Sequence, residues 1–172
     1  LGLAYGALGR WEEALQAYQK AAEQTPGDAM LLNDMGLAWQ RTGQGERAAD
    51  SYRAALRANP RFSLAHNNLG TLLWENGRLE DAIWEYRQAL EIDPTVPIVA
   101  YNLGLALEAK GKREDAVYIW ESFLLKTKPE PDPEGWIIKI RNAVTRLRPQ
   151  PLPTASGSPA IAVAGPIKEK KE

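Results

Sequence analysis

SLAHNNLGTLLWENGRLEDAIWEYRQALEIDPTV, residues Ser63–Val96, is the stretch that decides the fold. In it Gly70 is followed by Ala82, Tyr86, Ala89 and Pro94. Gly36 is followed at the same offsets by Ala48, Tyr52, Ala55 and Pro60, and Gly2 by Ala14, Tyr18, Ala21 and Pro26. Gly104 is followed by Ala116, then by Trp120 and Phe123 where the other units carry Tyr and Ala, with Pro129 one place late. Gly2, Gly36, Gly70 and Gly104 stand 34 residues apart, the period of a helical repeat array.

Each unit reads as two amphipathic helices, A and B. In the quoted unit helix A spans about Ser63 to Asn76, and Gly77 ends it, because glycine enters the left-handed conformation at little steric cost. Helix B starts near Leu79, with Glu80 and Asp81 in a first turn that favours negative charge. It stops before Pro94, which cannot continue a helix. Leu79, Ile83, Tyr86 and Leu90 form an apolar stripe at helical spacing. Gly70 and Ala82 are expected to let A and B approach closely, and Ala89 to admit the next A helix. One hairpin cannot bury that stripe alone, so adjacent units share their stability.

On these residues the chain resembles the tetratricopeptide repeat family. Met35-Gly36, Trp39, Ala48, Tyr52, Ala55 and Pro60 fit that family's pattern, as do Leu69-Gly70, Leu73, Ala82, Tyr86, Ala89 and Pro94. The likeness covers Leu1 to about Glu130. It implies an all-α, right-handed superhelical solenoid of antiparallel hairpins, with a concave groove lined by A helices.

Composition sets outer limits. Of 172 residues, 44% are hydrophobic and 25% charged, ordinary for a globular domain. A formal net charge of −1 gives no overall pull toward nucleic acid or an anionic membrane. The absence of cysteine excludes disulfides, cysteine-based zinc sites and a thiol nucleophile. It suits cytosol and periplasm alike, the cytosol being slightly preferred. No apolar run approaches the ~20 residues of a membrane span. Because Leu1-Gly2 falls inside what should be an A helix, the sequence is read as a fragment of a longer protein.

In order, residues 1–28 read as a partial unit with a truncated A helix, and 29–62 and 63–96 as complete units. Residues 97–130 read as a terminal unit whose larger Trp120 and Phe123 meet something other than a standard repeat. Residues 131–148 supply it: a capping helix N-capped by Asp132, with Pro133 and Glu134 in its first turn. Trp136, Ile137, Ile140, Val144 and Leu147 form its apolar face, and Lys139, Arg141, Arg146 and Arg148 are taken as solvated. Residues 149–172, rich in Pro and Ala, are expected to be disordered.

At about 100° per residue, helix A has a second face turned away from helix B. It carries Asn33, Leu37 and Arg41 in one unit, Asn67, Asn68, Thr71 and Trp74 in the next, and Tyr101 and Asn102 in the third. A carboxamide both donates and accepts. Asparagines spaced along a groove are therefore expected to hold an extended backbone with little sequence selectivity. The arrangement resembles the asparagine ladder in the repeat region of the O-linked N-acetylglucosamine transferase family, with Asp34 departing from it. Trp74 reads either as a binding hot spot or as a buttress of the array. Trp11, Trp39, Trp120 and Trp136 fall on core stripes, while Trp84 lies off helix B's stripe and marks a second, convex surface.

Chemistry is excluded more readily than it is found. The only histidine, His66, falls on the face toward helix B and reads as packed or interfacial. There is no nucleophile motif and no Gly-rich phosphate loop, so no enzyme activity, cofactor or metal is expected. The clamp with which some tetratricopeptide proteins hold a C-terminal carboxylate needs cations six places before the glycine, where this chain has Met30, Leu64 and Ile98. The reading is a non-enzymatic adaptor or scaffold whose partner is a protein or peptide segment. The alternatives are a self-associating scaffold and the targeting region of a larger enzyme such as a glycosyltransferase.

Overall fold

Asp28 opens the first full hairpin: its carboxylate accepts the backbone N–H groups of Met30 and Leu31 at 2.9 and 3.2 Å. That is the side-chain cap an exposed helix N-terminus needs. The helix it starts is one of nine, with no strand, that the computed structural model shows among the residues it describes, 1–127 and 135–148. They are α1 (Gly2–Ala7), α2 (Trp11–Ala22), α3 (Ala29–Arg41), α4 (Gly45–Ala58), α5 (Ser63–Glu75), α6 (Leu79–Ile92), α7 (Pro97–Ala109), α8 (Arg113–Lys126) and α9 (Trp136–Leu147). The expected helix A of the quoted unit, Ser63 to Asn76, is α5 with Asn76 as its C-cap. Gly77 follows at φ +74°, and Gly9, Gly43 and Gly111 take the same left-handed conformation after α1, α3 and α7.

Consecutive helices pack along the whole chain, and the A helices also touch one another, α3 on α5, α5 on α7 and α7 on α9. This is a helical repeat solenoid with an inner layer of A helices and an outer layer of B helices. Its core is a stack of layers. Ala14, Leu15, Tyr18 and Ala38 form one cluster, and a larger one runs from Ala48 and Tyr52 to Ile140 and Val144. Trp39 packs against both.

The glycine and the alanine do let the helices approach closely, and the side chain nearest the glycine is the aromatic ring of helix B. A Cβ on Gly36 would lie 2.6 Å from Tyr52, on Gly70 2.9 Å from Tyr86, and on Gly104 2.1 Å from Trp120. At Gly70 the Ala82 carbonyl oxygen is also close, at 3.3 Å. The glycine thus leaves a slot for a ring from the facing helix, and the alanines, fully buried, let the backbones close around it. Trp120 occupies the same slot as the tyrosines, so the terminal unit keeps the fold's geometry with a larger ring.

Asp132, Pro133 and Glu134, expected to begin the last helix, lie outside the described residues, as do residues 149–172. The described helix begins at Trp136, with Gly135 as N-cap in the left-handed conformation at φ +69°. It buries Ile140, Ala143 and Val144 and packs on α7 and α8. Two of its cations are not merely solvated. Arg146 pairs with Glu108 of α7 at 2.6 Å, and Arg148 with Glu121 of α8. Lys139 lies 3.6 Å from the centre of its own helix's Trp136 ring.

Candidate functional site

Three A helices, α3, α5 and α7, carry the side chains expected to line a groove, and their mutual contact is made by asparagine. Asn68 Nδ2 donates to Asn33 Oδ1 at 2.9 Å, and Asn102 Nδ2 donates to Asn67 Oδ1 at 3.1 Å. Within each helix Asn67 Nδ2 donates to Asn68 Oδ1 at 3.3 Å, and Asn33 Nδ2 to Asp34 Oδ1 at 3.4 Å. The result is a single relay, Asn102 to Asn67 to Asn68 to Asn33 to Asp34. Its direction has a cause. An ionised carboxylate only accepts, so Asn33 must turn its amide nitrogen to Asp34. Its oxygen then faces Asn68, and the same choice propagates to Asn102. The residue that departs from the asparagine pattern is the one that orients it. Burial raises the Asp34 carboxyl above the ordinary carboxylate range, with the Asn33 hydrogen bond opposing it and the Asp28 charge adding to it.

This arrangement corrects part of the expected site. Asn33 and Asn67 are only 5% and 4% exposed. They sit between A helices and bind the array together instead of lining an open groove. The reason is angular: three residues before the glycine points to the next A helix, two before it points back. Tyr101 takes the position of Asn33 and Asn67 in the fourth unit, and it too reaches forward. Its ring lies 5.5 Å from that of Trp136 in α9 and 6.4 Å from that of Trp120, so α9 covers it. The contacts Asn33–Asn68, Asn67–Asn102 and Tyr101–Trp136 all span 35 residues, and the last rung of the relay is aromatic.

The remaining expected residues divide. Thr71, Trp74 and Asn102 come together in a cleft of about 270 Å³ completed by Glu75, Tyr86 and Leu105. Leu37 is half-buried on α3. Arg41 is drawn away, its guanidinium 5.6 Å from the Trp11 ring. Trp74 is also half-buried and packs on the core, so both readings of it, hot spot and buttress, have a contact behind them. Glu75 and Leu105 belong to the same helix face and are legible by register; Tyr86, which also lines the cleft, reads in the sequence as part of the core stripe.

The cleft's hydrogen bonds are fixed by elimination. Thr71 Oγ1 donates to the Asn67 carbonyl at 3.0 Å, so the Tyr86 hydroxyl, 3.2 Å away, must donate to Thr71. Burial pushes the Tyr86 phenol up to about 12, with the Glu75 charge acting in the same direction, so the proton stays on at neutral pH. Glu75 Oε2 accepts from Gln40 Nε2 at 2.7 Å, which turns Gln40 Oε1 to the Tyr52 hydroxyl at 2.9 Å. A neutral chain from the neighbouring unit thereby holds the carboxylate.

Away from the groove, His66 is buried between α5 and α6. Its Nδ1 lies 2.7 Å from Glu85 Oε2 and its Nε2 3.3 Å from the Pro60 carbonyl. On the outer layer Trp84 is 56% and Tyr118 70% exposed, one repeat apart. Among the described residues no cluster of His, Asp and Glu is placed to hold a metal ion, and no helix is long and apolar enough to cross a membrane.

Comparison with known proteins agrees with this architecture. Residues 33–97 match a family model described as a tetratricopeptide repeat, and residues 2–43 match a second, described as a TPR repeat. No curated protein matches the chain. Among solved structures, MamA superposes with a TM-score of 0.67 at 18% identity, over 86% of this chain and 92% of that one. MamA 41-end from Desulfovibrio magneticus RS-1 gives 0.64 at 22%, over 72% and 70%. The first TPR of Spaghetti (RPAP3), solved bound to the HSP90 peptide SRMEEVD, gives 0.61 at 23%, over 64% and 87%. The repeat period, the hairpin packing and both family models lead to one conclusion: the chain belongs to the tetratricopeptide repeat family.

Proposed function

We propose that this chain is a non-enzymatic protein-interaction module that holds an extended peptide segment along its A-helix face. The observation that carries the reading is the cleft between α5 and α7. There an aromatic ring, an amide and a carboxylate converge on the face of the A helices, outside the glycine–aromatic slots that the fold requires. Asn68 and Asn102 each spend one N–H on the relay, and each keeps a second for a backbone carbonyl. The RPAP3 module, a relative in fold, was solved with a peptide, which supports a peptide as the class of ligand. A C-terminal acidic tail is a poor candidate here, since Met30, Leu64 and Ile98 stand where the carboxylate clamp needs cations.

The test is selection from a displayed library of extended peptides, followed by titration of the selected binders. Trp74→Ala should weaken them by about 2 kcal/mol, the hot-spot scale, and Trp84→Ala should leave them unchanged. The opposite pattern would refute the groove. It would favour a second reading, self-association or docking through the outer layer, for which the exposed Trp84 and Tyr118 are the supporting observation. Concentration-dependent size in solution separates those two.

A further inference from the structure

The groups left open in the α5–α7 cleft are mostly acceptors. Both hydroxyl protons are spent inside the protein, Thr71 on the Asn67 carbonyl and Tyr86 on Thr71. Asn102 gives one Nδ2 hydrogen to Asn67, and its carbonyl oxygen remains as an acceptor beside the second N–H. Glu75 gives one oxygen to Gln40 and keeps the other, and among the described residues no cation pairs with it. Arg41 lies over the Trp11 ring, and Arg146 of α9 pairs with Glu108. The Trp74 indole, whose face attracts cations, lines the same cleft. Acceptors, a carboxylate and an aromatic face around one space are complementary to a group that is all donors and positively charged.

We infer that the cleft formed by Thr71, Trp74, Glu75, Tyr86, Asn102 and Leu105 takes the lysine or arginine side chain of the segment bound in the groove. This rests on the groove reading above and adds the charge of its ligand. Glu75 is the specificity-determining residue. Its orientation is set before binding by the Tyr52–Gln40 chain, so little ordering remains to be done when the cation arrives. Leu105 and the Trp74 ring accept the methylene stem, since long cationic side chains lay their stems on apolar surface. The preference is opposite in sign to that of a clamp for acidic tails.

The probes are capped pentapeptides, acetyl-Ala-Ala-X-Ala-Ala-amide, with X as lysine, arginine, norleucine, citrulline or glutamate. They are titrated into the ¹⁵N-labelled chain, with the Trp74 indole and Asn102 amide resonances as reporters. Lysine and arginine peptides should shift both reporters and bind about tenfold tighter than norleucine and citrulline, the scale of a hydrogen bond to a charged group. The glutamate peptide should bind weakest. Glu75→Gln, which keeps an acceptor oxygen and changes an exposed side chain, should abolish the preference without altering the melting temperature. Equal shifts from all five peptides would overturn the cation site and leave the groove standing. Shifts confined to Trp84 and Tyr118, or none at Trp74 with any peptide at millimolar concentration, would overturn both.

Discussion

Replacing Asn67 with alanine tests the relay where it is most buried. The side chain makes two hydrogen bonds, one across helices, accepting from Asn102 at 3.1 Å, and one within α5, donating to Asn68 at 3.3 Å. A hydrogen bond contributes about 0.5–1.5 kcal/mol net, and a buried group left unmade costs about 1–3 kcal/mol. Asn68 and Asn102 are half-buried and recover part of that from water, so the loss should be about 1–3 kcal/mol. In urea the midpoint should fall with an unchanged slope, because the surface exposed on unfolding stays the same. Asn67→Asp sharpens the test. A carboxylate still accepts from Asn102 but cannot donate to Asn68, so it should cost more than alanine near neutral pH and recover in acid. A double cycle of Asn67→Ala with Asn102→Ala should show coupling of about 0.5–3 kcal/mol, as for residues in one network. A loss below about 0.5 kcal/mol, the scale of a neutral surface change, together with no coupling, would refute the relay.

Gly104→Ala places a Cβ 2.1 Å from the fully buried Trp120 ring, and should destabilise by about 1–3 kcal/mol through overpacking. In the Trp120→Ala background, where the ring is gone, the same Gly104→Ala change should cost less, as read in thermal melts of the double cycle. Asp34→Asn keeps an acceptor for Asn33 and removes a carboxyl whose folded-state value is raised by burial. A raised value means stability present in acid and lost as pH rises through it. The wild type should therefore lose stability relative to this variant between acid and neutral pH, measured by melts across that range. Ile140→Ala, at the fully buried centre of α9, should cost about 2–5 kcal/mol. Removing residues 132–148 should uncover Trp120 and Phe123 and drive aggregation, seen by light scattering. A deletion variant that stays monomeric and equally stable would contradict the capping role.

How much of this was legible follows from what each feature depends on. Hairpins, their turns and their order depend on local chemistry, and Gly77, Pro94 and the apolar stripe of helix B announce them. The slot at Gly70 was half legible. Spacing showed that something must approach there, but only the packed rings show that Tyr86 and not Ala82 fills it. The groove was legible as a face and not as a site. Register put Asn67 and Trp74 on the same side of α5, two turns apart. It carries no information on whether the next A helix lies over one of them. That depends on the tilt between repeats, which buries Asn67 and leaves Trp74 beside an open cleft. The sequence carries one further signal: Asn33 with Asn68, and Asn67 with Asn102, recur at 35 residues, one more than the repeat. A period-plus-one pair joins the forward-pointing position of one A helix to the backward-pointing position of the next. On that rule Tyr101 pairs with Trp136, and the two rings, tilted at 51°, show the array meeting α9 as it would meet another A helix. Ile138 then falls 34 residues after Gly104. It is 59% exposed, and a large residue stands where each earlier unit has glycine.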